Sequence, residues 1–195
     1  MSYMEIPLFP LSTVLTPGGP LLLRIFEPRY LEMVGKCLSS DSGFGVSLIQ
    51  EGSETATDKV HAIGTFAKIA DWYQYDDGLL GITAIGLQRF RLVDTSVKNN
   101  GLLVGQVTLL NREPAVPVPA QYRHLAEIVE RILGETGSHY ELIERDFANA
   151  SWVGYRLMEF LPLTNEQKQF GLEICDPIER LELLVGVVEK MDDRA

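Results

Sequence analysis

The sequence predicts an α+β protein: a β-rich first half with one inserted helix, followed by an α-helical bundle. Three observations carry this. Short apolar runs, several joined by Asp-Gly or Asn-Gly turn signals, fill residues 21–110. Apolar stripes at helical spacing fill residues 122–188. Between them, Arg112-Glu113-Pro114-Ala115-Val116-Pro117-Val118-Pro119 reads as a stiff, extended connector. The expected division is a β-rich part over 1–113, a proline-rich connector over 114–119 and a helical part over 120–195.

The N-terminal stretch MSYMEIPLFPLSTVL has no basic region ahead of its apolar residues and carries two early prolines, so it does not read as a signal peptide. Thr16-Pro17-Gly18-Gly19-Pro20 is a tight loop. Strand character follows at Leu21–Ile25, Phe44–Ile49, Val60–Ala70, Leu79–Leu87, Arg89–Val93 and Leu102–Leu110. Asp77-Gly78 and Asn100-Gly101 each lie between apolar runs and permit the positive φ of a hairpin turn. Six or more short strands with such turns predict a barrel or two packed sheets.

One helix interrupts the strands. Pro28 suits a first helical position, and Glu27 suits the positive end of the helix. Tyr30, Met33, Val34, Cys37 and Leu38 then form one apolar stripe that should lie on the sheet. After the connector, Tyr122, Leu125, Ile128, Val129, Ile132 and Leu133 form a second stripe, and Leu142, Ile143 and Phe147 begin a shorter one. Ser151 is expected to cap a helix bearing Trp152, Val153, Leu157, Phe160 and Leu161, which Pro162 stops. Thr164-x-x-Gln167 is a capping box, and Asp176-Pro177-x-Glu179 a looser one. The last helix presents Ile178, Leu181, Leu184, Val185 and Val188.

Charge narrows the function classes. The 195 residues hold 17 Lys+Arg and 27 Asp+Glu, a formal net charge of -10. Residues 1–117 carry -3 and residues 118–195 carry -7. The solvent faces of amphipathic helices account for the second excess. Such a surface repels phosphate backbones and anionic headgroups, which argues against nucleic acid and membrane as partners. No apolar run approaches the ~20 residues of a membrane span. The expectation is a cytoplasmic protein with reduced thiols at Cys37 and Cys175.

Motifs for catalysis are sparse. Gly35-Lys36 is not a phosphate loop, because Tyr30 stands where the first glycine is required and Cys37 follows the lysine. Gly43-Phe44-Gly45 is not followed by the dinucleotide-binding pattern. His61, His124 and His139 are widely spaced, so no metal and no cofactor is expected. No nucleophile elbow occurs, Cys37 falls on an apolar stripe, and the acidic neighbours of Cys175 disfavour its thiolate. No catalytic residue is assigned. The run Trp72-Tyr73-Gln74-Tyr75 stands out as a candidate partner-binding cluster (Trp72, Tyr73, Tyr75). On a strand, Trp72 and Gln74 face one way while Tyr73 and Tyr75 face the other. A sheet covered on one side leaves part of this aromatic surface exposed, and Tyr and Trp are effective anchors for partners.

Ile6-Pro7-Leu8-Phe9-Pro10-Leu11, Val14-Leu15, Pro17-Gly18, Leu21–Leu23 and Arg24-Ile25-Phe26-Glu27-Pro28-Arg29-Tyr30, in that order, resemble the N-terminal domain of Lon proteases. Phe44-Gly45-Val46, Ile63-Gly64-Thr65, Asp76-Asp77-Gly78 and Gly86-Leu87-Gln88-Arg89-Phe90-Arg91 extend the resemblance. So do Trp152, Leu161-Pro162, Gln167-Lys168-Gln169 and Arg180-Leu181 in the helical half. The resemblance implies a PUA-like pseudo-barrel followed by a helical bundle. It also implies a non-enzymatic role in recognising proteins or exposed apolar peptide segments, with a contribution to homo-oligomeric assembly. Phe26, Glu27, Pro28, Arg29, Tyr30, Asp77, Gly78, Gly86, Arg89 and Phe90 are its motif residues, expected to be structural. With neither a phosphate loop nor a Ser–Lys dyad before Ala195, the chain is expected to be a stand-alone version of that domain. Two alternatives remain: an RNA-binding PUA-like protein, with Arg24, Arg29, Arg89 and Arg91 as a local basic patch, and an unrecognised hydrolase.

Overall fold

A computed structural model of the chain describes residues 3–135 and 138–192. It divides into two compact units, Met1–Asn111 and Arg112–Ala195. The first contains strands β1 (Met4–Leu11), β2 (Pro20–Ile25), β3 (Phe44–Gly52), β4 (Thr57–Val60), β5 (Ile63–Gln74), β6 (Leu80–Val97) and β7 (Leu103–Leu109). Helix α1 (Pro28–Ser39) is inserted between β2 and β3.

The β unit is a pseudo-barrel because β1 changes partner halfway along. Met4–Pro7 pairs antiparallel with β7, and Leu8–Leu11 pairs parallel with β3. The ring β1-β7-β6-β5-β3 thereby returns to β1, while β2 and β4 attach outside it to β6 and β3. The partner change also explains how a strand tolerates Pro7 and Pro10. Each half of β1 is bonded on one side, so a missing N–H need not break a ladder. These prolines hide the strand from a sequence reading, and Met4–Leu11 adds to the six runs recognised there.

Two runs join and one divides. Leu79–Leu87 and Arg89–Val93 form the single 18-residue strand β6, whereas Val60–Ala70 is broken between β4 and β5. β6 pairs with β2 through Leu80–Ile85 and with β7 through Phe90–Val97. Gly86 marks the change: its carbonyl accepts from Gly18 N–H at 2.7 Å, and its N–H donates to Gly19 O at 2.9 Å. A Cβ there would stand 2.3 Å from Thr16 O, so the loop at residues 16–19 requires this glycine.

The main core lies between α1 and the sheet. Tyr30, Met33, Val34 and Cys37 of α1 are buried in it, and the Tyr30 ring stacks on Phe9 at 3.9 Å and 8°. Leu38, expected on this stripe, is instead 45% exposed. A smaller cluster holds Ile6, Leu8, Phe90 and Val107.

The second unit contains α2 (Arg123–Glu135), α3 (Ala150–Phe160), α4 (Asn165–Glu173) and α5 (Pro177–Asp192), with short 3-10 turns at Ala120–Tyr122 and Ser138–Leu142. Helix α3 is the central element: Ala150 and every residue from Val153 to Met158 are buried. Its N-cap is Asn149, whose side chain accepts from Ser151 N–H, so the expected Ser151 cap is displaced by two positions. The expected helical stripe at Leu142, Ile143 and Phe147 does not form; Leu142 ends a 3-10 turn and is exposed, and Ile143, just after it, is buried. Thr164 and Gln167 do form a reciprocal capping box. The proline-rich segment is paired within this unit: Val118 N–H donates to Ala148 O and Ala150 N–H to Val116 O, each at 2.8 Å. Among the described residues, no helix is long and apolar enough to cross a membrane.

Candidate functional site

The candidate aromatic cluster lies at the end of the β2–β6–β5 sheet. Register places Arg24 opposite Gly81, and Gly81 opposite Tyr73, in one row. The period of two along a strand puts Leu22 on the same side as Arg24; Phe26 follows β2 directly, and Tyr75, just past β5, packs on Tyr73. Leu22 is 46% exposed and Phe26 61% exposed. Trp72 belongs to the opposite face, in register with Ile82 and Leu23; those two are buried, whereas Trp72 is 62% exposed.

Gly81 makes the tyrosine arrangement possible. A Cβ at that position would lie 2.3 Å from Tyr73 Cε2, so the ring rests across bare backbone. Tyr75 meets Tyr73 edge-to-face, with centroids 5.1 Å apart at 71° and hydroxyls 3.1 Å apart. The Arg24 guanidinium lies 4.8 Å from the Tyr75 ring centroid and pairs with Asp77. The hydrogen bond with Tyr75, followed by desolvation and the nearby Tyr75 and Asp71 groups, pushes the Tyr73 phenol up to about 12. The two hydroxyls, 3.1 Å apart, form a donor–acceptor pair beside apolar ring faces.

The turn beyond the tyrosines is built by the motif residues. Gly78 has φ +84°, the left-handed conformation that a glycine accepts without a Cβ penalty. Its N–H donates to Tyr75 O at 2.8 Å, Tyr75 N–H donates to Leu79 O at 2.9 Å, and Asp77 Oδ1 accepts from Leu79 N–H at 3.2 Å.

The segment from Phe26 to Tyr30 has another role. Pro28 opens α1 and Glu27 occupies the N-cap position, but the Glu27 side chain makes no capping bond. It pairs with Arg29 at 2.8 Å. Arg29 donates to Gly101 O at 3.0 Å and Glu54 O at 3.1 Å, tying two distant loops to the start of the helix. Burial raises the Tyr30 phenol above its ordinary pKa despite the neighbouring Arg29 charge. Arg89 and Phe90 are buried; Phe90 fills the space above Gly45 and Gly64, where a Cβ would approach it to 2.8 and 2.5 Å.

The burial of two arginines in the helical unit escapes sequence reading. Arg156 and Arg180 are fully buried, paired with Glu159 at 2.9 Å and Glu113 at 2.6 Å respectively. Arg180 stands one residue before Leu181 and four before Leu184, within the apolar stripe of its helix, and that placement is the available signal. Among the described residues, no group of three or more His, Cys, Asp or Glu side chains is placed to hold a metal ion. Cys37 is buried, its thiol 3.6 Å from Gly43 O, and burial raises its pKa. That environment opposes nucleophilic use.

Known proteins place this architecture. Residues 5–190 match the family described as the ATP-dependent protease La (LON) substrate-binding domain. The chain is 28% identical over 197 residues to the Lon protease of Xanthomonas oryzae pv. oryzae, covering 95% of this chain and 23% of that protein. It is 29% identical over 135 residues to protein cereblon of Xenopus tropicalis, covering 64% of this chain and 29% of that protein. It thus spans about a quarter of the length of these relatives. A crystal structure of a Lon N-terminal domain protein from Xanthomonas campestris matches with a TM-score of 0.79 at 37% identity, covering 94% of this chain and 98% of that one. The N-terminal domain of Mycobacterium avium complex Lon protease shares the fold, with a TM-score of 0.65 at 18% identity over 95% of this chain and 98% of that one. A β-rich pseudo-barrel with an inserted helix, followed by a helical bundle and matched over nearly its whole length, belongs to the Lon substrate-binding domain family.

Proposed function

We propose that this chain is a non-catalytic recognition module that binds exposed apolar segments of other proteins. The observation that carries this reading is the Tyr73–Tyr75 pair packed beside Arg24, with Leu22 and Phe26 exposed on either side of Arg24 in the chain, on a domain of a substrate-binding family. Apolar rings supply contact area with little side-chain entropy to lose, and the hydroxyl pair can bond to a peptide backbone. The formal charge of -10 disfavours nucleic acid as the partner.

The test uses reduced, carboxymethylated α-lactalbumin, a permanently unfolded chain, as the probe. Fluorescence anisotropy is expected to show saturable binding, and Tyr73→Ala with Tyr75→Ala is expected to weaken it by roughly tenfold. Absence of saturable binding overturns the reading, and unchanged binding by the double variant removes this face as its site. A melting curve of the variant separates lost contact from lost fold.

A further inference from the structure

We infer that the groove between α4 and α5 is a second protein-docking site, which accepts a bulky apolar side chain from a cationic amphipathic segment of a partner. The groove encloses about 220 Å³ and is lined by Met158, Leu163, Phe170, Leu183, Leu184 and Val187. Phe170 is 56% exposed and Leu183 40% exposed. The helical core does not use Phe170: α4 buries Gln169, Gly171 and Leu172 instead.

The floor of the groove is adaptable. A Cβ at Gly171 would lie 2.8 Å from Met158 Sδ, so the glycine lets the thioether reach the groove from α3. Methionine has three rotatable bonds and a polarisable sulfur, which suit it to side chains of different shape. Size selects the kind of ligand. Small-molecule sites typically enclose about 300–1,000 Å³, whereas an apolar cavity of about 150 Å³ already holds benzene. The groove therefore fits one aromatic or branched aliphatic anchor on a larger partner.

Charge selects the partner. α4 and α5 carry six carboxylates against Lys168 and Lys190, with Arg180 buried on Glu113. Glu166 stands on the groove wall, whereas Glu173 accepts from Gln169 and Glu182 from Tyr122 within the unit. Residues 112–195 hold 9 basic and 16 acidic residues, so a second copy of this unit would meet like charge. Lys or Arg residues flanking an apolar anchor meet opposite charge at the rim, and an amphipathic helix presents both.

The experiment titrates the isotope-labelled full chain with a synthetic Leu/Lys amphipathic helix, and separately with its Leu/Glu counterpart, following amide shifts by NMR. The expected result is saturable binding of the Leu/Lys peptide, with shifts centred on α4 and α5 and affinity falling as salt rises. Phe170→Ala with Leu183→Ala is expected to weaken it roughly tenfold without lowering the melting temperature, because both side chains are exposed. Glu166→Lys weakens it while leaving the apolar lining intact. Equal binding of the Leu/Glu peptide, shifts confined to the Tyr73–Tyr75 face, or groove shifts produced by raising protein concentration alone each overturn the proposal. Tyr73→Ala with Tyr75→Ala leaves this binding unchanged, which distinguishes its failure from failure of the first site.

Discussion

Arg180 holds Glu113 with both arms of its guanidinium: Nη1 donates to Oε2 at 2.8 Å and Nη2 to Oε1 at 2.6 Å. Ser151 Oγ and the Tyr155 hydroxyl donate to the same carboxylate at 2.5 and 2.6 Å. Arg180 also donates to the carbonyls of Gly171 and Ile174, so one cation ties the start of the unit to the end of α4. Burial opposes ionisation of Glu113, but the Arg180 hydrogen bonds and charge, with the two hydroxyls, outweigh it and hold the carboxyl below its ordinary pKa.

Removing Glu113 is therefore expected to be costly. Glu113→Ala leaves Arg180 buried without its counter-ion and should destabilise the helical unit by about 3–5 kcal/mol, measured by denaturant unfolding. The carboxyl binds its proton less readily when folded than when unfolded. Its stabilisation is thus complete above the ordinary glutamate pKa of about 4.3 and is lost as pH falls through the lower folded value. Unfolding of wild type and Glu113→Gln between neutral and acidic pH checks this: the acid-dependent loss should shrink in the variant.

Asn149 and Ser151 should separate along the same axis. Asn149→Ala removes a helix cap and is expected to cost about 1 kcal/mol at any pH. Ser151→Ala removes a bond to the ionised Glu113 and is expected to cost about 1.5–3 kcal/mol at neutral pH. That cost fades in acid as Glu113 protonates. Parallel denaturation curves at the two pH values distinguish the roles.

Gly81 and Tyr73 should be energetically coupled. Gly81→Ala forces a Cβ into the Tyr73 ring and is expected to cost about 1–3 kcal/mol while weakening binding at the tyrosine face. In a Tyr73→Ala background the clash is gone, so the same substitution should cost much less. A double-mutant cycle on unfolding free energies reads this coupling.

The tyrosine pair has a spectroscopic signature. With Tyr73 pushed up to about 12 mainly by its hydrogen bond to Tyr75, Tyr75→Phe should let Tyr73 ionise at lower pH. Ultraviolet titration of tyrosinate absorbance measures the shift, and an unmoved Tyr73 would exclude the hydroxyl contact.

By itself, the sequence determined the fold class, the stretches with strand character though not where strands join or break, the inserted helix at Pro28, the Thr164–Gln167 capping box and the opposite facing of Trp72 and Tyr73. These features depend on local periodicity and turn chemistry, which are written in neighbouring residues. The tertiary structure alone decided the ring closure through β1, because a strand that changes partner at Pro7 has no local signature. It also decided the meeting of Arg24, Gly81 and Tyr73, which are remote in sequence and brought together by register. Glu113, read as the last residue of the β-rich half, and Arg180, read as part of a helical motif, became one buried pair for the same reason. Burying a charge is favourable only when its partner arrives, and a partner 67 residues away is visible only in the folded chain.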